Sequence, residues 1–217
     1  KIALVRTNET YATRAANLKT KLMLGHTDHD YLDFIDQQYE TKLSPAQKRY
    51  FHRDKQRDLA INALLLGSGL RVSEAANADL RHLNLKTGTI GVIRKGGQRD
   101  TVPIAPWTLP YIQAYVDQRQ ATYHATNQDR ALFLSSYRGH ASRMQANSME
   151  KMVAKYSSAF KVRITPHKLR HTLASKLYLA TKNEQLVATQ LGQNSTSATG
   201  LYTHIIDEEQ RHGLEKM

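Results

Sequence analysis

Cysteine is absent from these 217 residues, which excludes disulfide scaffolds, thiol catalysis, iron–sulfur centres and cysteine zinc sites. Long apolar runs are missing as well. None, Ala63 to Leu66 included, comes near the roughly 20 residues a membrane helix needs. No self-similarity at a period of about 20–50 residues and no low-complexity block is present, so solenoid and linker architectures are not expected. The opening KIALVRTNET has neither an initiator Met nor the apolar core of a signal peptide; the expectation is a piece of a longer, cytoplasmic chain with no membrane partner. Acidic residues are scarce against basic ones, 19 Asp plus Glu facing 31 Lys plus Arg, for a formal charge of +12.

What is there supports one packed domain: 40% hydrophobic residues over a single-domain length. The excess positive charge favours a polyanion, because each phosphate neutralised by Lys or Arg releases counterions. A basic but merely solvated surface is the competing interpretation.

Periodicity predicts a mostly α chain with a small three-stranded antiparallel β-sheet. Residues 9–40 read as two amphipathic helices broken near Gly25, and Ser44-Pro45 offers a further cap. The segment from His52 to Leu66 starts charged and ends apolar, as a helix entering the core and stopping at Gly67-Ser68-Gly69 would. Between Leu83 and Ile104 the period shifts to that of strands, punctuated by Thr87-Gly88 and Lys95-Gly96-Gly97. Leu109–Tyr123, Asn147–Phe160, Pro166–Thr181, Asn183–Leu191 and Asp207–Lys216 read as helical.

Four segments carry candidate chemistry. In TPHKLRHTLASKLYLA, Thr165 is a candidate cap and Pro166 a first-turn proline, so His167, Arg170 and His171 share one helical face. Leu169, Leu173, Leu177 and Ala180 mark a different, buried stripe. Zinc binding by His167 and His171 is disfavoured, since Lys168 stands where the protease motif needs Glu; a solvated basic face is the plainer alternative. In GLRVSEAANADL, Arg71 follows a Gly-rich turn and could hold a planar anion bidentately, or pair with Glu74. In RKGGQRD, Lys95 sits on a tight turn from which an ammonium could protonate a leaving oxygen, or simply be a hairpin lysine. The spacing is not that of a nucleotide-binding P-loop. In LGQNSTSATGLYTHI, Tyr202 is one of eleven tyrosines. A phenol nucleophile would form a phosphotyrosyl ester if its proton is removed and two or more cations surround the phosphate.

In this order, GLRVSEAANADL, RKGGQRDTVPI, TPHKLRHTLAS and LGQNSTSATGLYTH resemble the signature boxes of the tyrosine recombinases of the phage integrase family, with coverage from about residue 52 to 217. KQRDLAINALLLGSG, KMVAKYSSAFKVR and YTHIIDEEQ are similar to the single-recombinase Xer type. The resemblance implies a single catalytic domain over 1–217, with residues 1–50 a helical lead-in and residues 207–217 a helix docking protomers into a tetramer on DNA. It implies that the N-terminal domain clamping DNA from the opposite side is missing. It further implies that Arg71 and Arg170 grip the scissile phosphate, His167 assists proton transfer, Lys95 protonates the departing 5′-oxygen and Tyr202 is the nucleophile, with neither metal nor nucleotide cofactor. The implied partners are a dif-like double-stranded DNA site and a septal DNA translocase; the implied task is chromosome dimer resolution.

One departure stands out. Nine residues before Tyr202 the family usually carries His or Trp, and here the residue is Gln193. Gln donates a hydrogen bond but cannot shuttle a proton, so Gln193 is expected to support a phosphate oxygen while His167 manages protons. Arg94, Arg99, Arg138, Arg143 and Lys168 are candidates for DNA backbone contacts, or for solvated surface cations. Two rival functions remain: a type IB topoisomerase-like nicking and rejoining enzyme, and a DNA-binding accessory factor with a decayed site.

Overall fold

Ser44 and Gln47 start the longest helix among the described residues: the Ser44 backbone N–H donates to Gln47 Oε1 at 2.9 Å, with Pro45 in the first turn. The computed structural model describes residues 22–161 and 163–193. Elements are named here in chain order. α1 (Thr27–Asp33) runs through a π turn and a 3-10 turn to Lys42. α2 is Pro45–Ser68 and α3 is Val72–Asn77. β1 (Leu83–Asn84), β2 (Thr89–Ile93) and β3 (Arg99–Pro103) follow, then α4 (Leu109–Tyr123). A hairpin, β4 (Leu134–Tyr137) and β5 (His140–Arg143), leads to α5 (Ala146–Phe160), α6 (Pro166–Thr181) and α7 (Glu184–Leu191).

Helix α2 is the axis of the core. It begins seven residues before the expected His52; every residue from Arg57 to Ser68 is buried, while most of its first half faces solvent. Its buried polar groups are paired, as low dielectric demands: Asp58 accepts from Arg57 and from the Tyr156 hydroxyl at 2.7 Å, and Asn62 accepts from the Tyr31 hydroxyl. α4 and α6 pack against α2.

The three-stranded sheet is antiparallel in the order β1-β2-β3, with Ile90 opposite Val102 and Ile93 opposite Arg99. The pleat turns Ile90, Val92 and Val102 into the core and leaves Ile93 outside. The β4–β5 sheet adds to the single β patch expected. Its strands are short and half polar, and its tip, Arg138-Gly139, has both φ positive, as a two-residue hairpin turn requires.

Helix α6 has the expected bounds but not the expected stripe. Leu169 is buried, Leu173 and Leu177 are half-buried and Ala180 is exposed; Arg170, Thr172, Ala174 and Ser175 are buried instead. Polar groups occupy that face because each of two finds a carbonyl there: the Thr172 hydroxyl donates to Lys168 O and the Arg170 guanidinium reaches beyond its own helix. The expected helices before Gly25 and over Asp207–Lys216, and Tyr202 itself, lie outside the described residues.

Candidate functional site

Helix α2 stops because Gly69 takes a left-handed conformation (φ +67°), and the chain turns into Leu70 and Arg71. Arg71 is the extended residue ahead of α3. Its backbone N–H donates to Glu74 Oε2 and its Nη1 to Glu74 Oε1, both at 2.8 Å. The ion pair allowed by the sequence is therefore real, yet the Arg71 side chain stays 37% exposed while Glu74 is buried. A carboxylate on one edge of the guanidinium leaves the other donors for a second anion.

Arg170 comes from the opposite direction, from the second turn of α6. It is 4% exposed; Nη1 donates to Gly69 O at 2.6 Å and Nη2 to Leu191 O at 2.7 Å. One turn earlier, His167 meets His171, Nε2 to Nε2 at 2.8 Å with the rings edge-on. Burial, and then the neighbouring Arg170, Lys168 and Arg71, hold His167 below the ordinary histidine value. Burial, and then His167, Lys168 and Arg170, push His171 down to about 3. Both rings are neutral at pH 7, so one donates its Nε2–H to the other.

Arg71, His167 and Arg170 line one cavity of about 440 Å³ between α3, α5 and α6. Lys151, Arg163 and Glu150 line it too, beside the apolar Leu70, Val72, Ala154 and Pro166, so cations outnumber carboxylates around it. That is the electrostatic arrangement of an anion site. Lys95 and Gln193 do not line it. Lys95 is exposed on the β2–β3 turn. Gln193 follows the α7 cap Gly192; its N–H donates to Ala188 O, and its Oε1 is buried with no hydrogen-bond partner among the described residues.

The model of the phage integrase family matches residues 34–209. The chain belongs to that family. It is 53% identical over all its residues to the tyrosine recombinase XerS of Streptococcus uberis. The chain spans 61% of the length of that relative. Among solved structures, XerA recombinase matches with a TM-score of 0.64 and 26% identity over 80% of this chain and 64% of that one. XerH recombinase in its post-cleavage complex with palindromic difH substrate matches with a TM-score of 0.69 and 20% identity, covering 96% of this chain and 56% of that one. The mostly helical fold with its small antiparallel sheet is that of these recombinases.

Two further cations at the cavity, Lys151 and Arg163, escape the reading of the sequence. A helical signal for Lys151 does exist: Met149, Met152, Val153 and Tyr156 are the buried face of α5, which places Asn147, Lys151 and Ala154 together on the other. Among the proposed backbone contacts, Arg99 and Arg138 are exposed and Lys168 is half-buried. Arg94 requires correction. It is 7% exposed, does not line the Arg71–Arg170 cavity, and donates to Asp100 Oδ2, Glu74 Oε2 and Gln190 O. Arg143 is part-exposed and donates to Ala76 O, Ala78 O and Asp79 Oδ1, tying β5 to the end of α3. No described helix is long and apolar enough to cross a membrane.

Proposed function

We propose that this chain is the catalytic part of a Xer-type site-specific recombinase that cuts and rejoins DNA strands through a 3′-phosphotyrosyl intermediate. The observation that carries this reading is the common cavity of Arg71, His167 and Arg170, three side chains brought together from two boxes about 100 residues apart. The Tyr202 phenol attacks the scissile phosphorus and passes its proton to a neutral acceptor, a role open to His167 because its depressed basicity keeps it unprotonated. Two guanidiniums neutralise the phosphorane as charge builds on its non-bridging oxygens. The P–O5′ bond breaks and Lys95 gives its proton to the departing 5′-oxygen. Lys95 is exposed on the β2–β3 turn, beside Gly96 and Gly97, which have open space around them. Gln193 turns its amide to a phosphate oxygen. The freed 5′-hydroxyl then attacks the phosphotyrosyl linkage of a partner strand, releasing the phenol.

A tetramer on a dif-like site, docked through residues 207–217, a septal translocase as partner and chromosome dimer resolution as the task complete the proposal. Their support is the identity to XerS. The test uses a nicked duplex selected from a random pool by its retention on the protein. Denaturing gels should show a covalent protein–DNA adduct with the wild type and none with Tyr202→Phe. Absence of an adduct from the wild type at every pH and salt tried would return the chain to the accessory-factor reading, and nicking without strand exchange between duplexes would favour the topoisomerase-like one.

A further inference from the structure

Strand alternation turns three successive residues in and out: Ile93 exposed, Arg94 buried, Lys95 exposed. The inward residue lies beneath the turn that presents the proposed proton donor. The Arg94 N–H donates to Gln98 O and its carbonyl accepts from Gly97 N, closing the Lys95 turn. Its guanidinium then points to three places at once. Nε reaches Asp100 Oδ2 across the hairpin at 2.9 Å, Nη1 reaches Glu74 Oε2 at 3.1 Å and Nη2 reaches Gln190 O at 3.2 Å. Glu74 is the carboxylate that holds Arg71, and Gln190 sits in the last turn of α7, three residues before Gln193. Gly192 lies directly on the guanidinium: it has φ +58°, and a Cβ there would stand 2.5 Å from Arg94 Nε and 2.7 Å from Cζ.

We propose that Arg94 is a positioning residue for the recombination chemistry: one buried guanidinium sets the register of the Lys95 turn, of Arg71 through Glu74, and of the α7 end that delivers Gln193. Burying a cation is costly and is tolerated only where its donors are matched. Here the match is to three separately encoded elements, and the planar fork of Arg can reach acceptors in three directions where the single ammonium of Lys cannot. Gly192 is required twice, for its left-handed backbone and for the space that lets α7 close over the guanidinium. This inference rests on the reading of Lys95 as proton donor to the leaving oxygen.

The test replaces the bridging 5′-oxygen of the scissile phosphate by sulfur. A thiolate departs without a proton donor, so a defect in proton delivery vanishes on that substrate and a defect in folding or phosphate grip does not. Lys95→Ala and Arg94→Lys should each slow cleavage of the oxygen-bridged duplex by about 10²-fold or more; sulfur should bring Lys95→Ala within about tenfold of wild type, and should recover Arg94→Lys by about tenfold or more but not completely, the remainder being the share of Arg71 and Gln193. Gly192→Ala, which keeps Arg94 but displaces it, should show the same pattern and serves if Arg94→Lys unfolds. Equal slowing on both substrates by the Arg94 and Gly192 variants would overturn the proposal. Should the wild type cleave neither duplex, the recombinase reading fails, and amide hydrogen exchange still decides the coupling. In Arg94→Lys, exchange should rise together over residues 69–76, 94–98 and 188–193 with α4 unchanged; a rise confined to the turn refutes it.

Discussion

Arg170 Nη1 donates to the carbonyl of Gly69 at 2.6 Å, so the cation expected to grip a phosphate is itself anchored to the loop that carries Arg71. The second anchor, Leu191 O, brings in the end of α7. The guanidinium is thus fixed before any anion arrives, and no reorganisation is needed when charge develops beside it.

Gly69 therefore does more than end a helix. A Cβ at this position would meet Leu173 Cδ2 at 2.8 Å and Leu191 Cδ2 at 2.9 Å, on top of the left-handed φ. Gly69→Ala should cost about 2–4 kcal/mol in urea unfolding, combining backbone strain with overpacking. Gly139→Ala, also left-handed but with nothing within 4 Å, should cost only about 1–2 kcal/mol. Equal losses would show that the close approach of α6 and α7 to Gly69 contributes nothing.

The histidine pair predicts acid sensitivity of a defined sign. His171 is held near 3 against an ordinary 6.5, chiefly by burial. Above pH 6.5 the folded and unfolded chains both carry it neutral. Between 6.5 and about 3 only the unfolded chain takes the proton, so this contribution to stability is lost as pH falls through that window and is fully lost below it. Urea unfolding of wild type and His171→Gln at pH 7 and pH 4.5 should differ in pH dependence by about 1–3 kcal/mol, with the variant the flatter. Parallel pH profiles would contradict the assignment of a part-buried neutral ring. Cleavage by the proposed mechanism, in which His167 accepts a proton, should hold level across neutral pH and fall only below the ordinary histidine range.

Lys151 and Arg163 belong to the cavity by position, and DNA should feel them. Each changed singly to Ala should reduce the slope of log affinity against log salt by about one unit, uniformly across DNA sequences. Fluorescence anisotropy over a salt series measures this. An unchanged slope would place the DNA backbone elsewhere. Arg143→Ala, by contrast, should lower stability more than it changes the salt slope, because the side chain ties β5 to Ala76 O, Ala78 O and Asp79 Oδ1.

Much of this was legible where the cue was local. α4 and α6 match their expected ranges because each carries proline in its first turn and ends in a left-handed residue, His124 and Lys182. The β1–β2–β3 sheet matches because its Gly turns and alternating Ile90, Val92 and Val102 lie within a short stretch. Legibility failed where the cue was distant. Arg94 looks like any cation of a basic hairpin, and only Glu74 and Gln190, far from it in sequence, turn it inward. The stripe on α6 was misread for the same reason: carbonyls of Gly69 and Leu191 make Arg170 a buried residue. The β4–β5 hairpin escaped because FLSSYRGHASR alternates too weakly, with little more than Leu134 inside.

The central claim is that Arg71 and Arg170 neutralise one phosphate, and a charge-deleted substrate tests it most directly. Replacing one non-bridging oxygen of the scissile phosphate by methyl removes the negative charge that the guanidiniums are held to meet. Arg71 is the residue to vary, since its side chain is part-exposed and its loss spares the core. Arg71→Ala should lose about 10²-fold or more in cleavage of the ordinary phosphodiester and come within tenfold of wild type on the methylphosphonate. An equal loss on both substrates would mean that Arg71 holds structure through Glu74 and touches no phosphate, and the shared cavity would no longer be an active site.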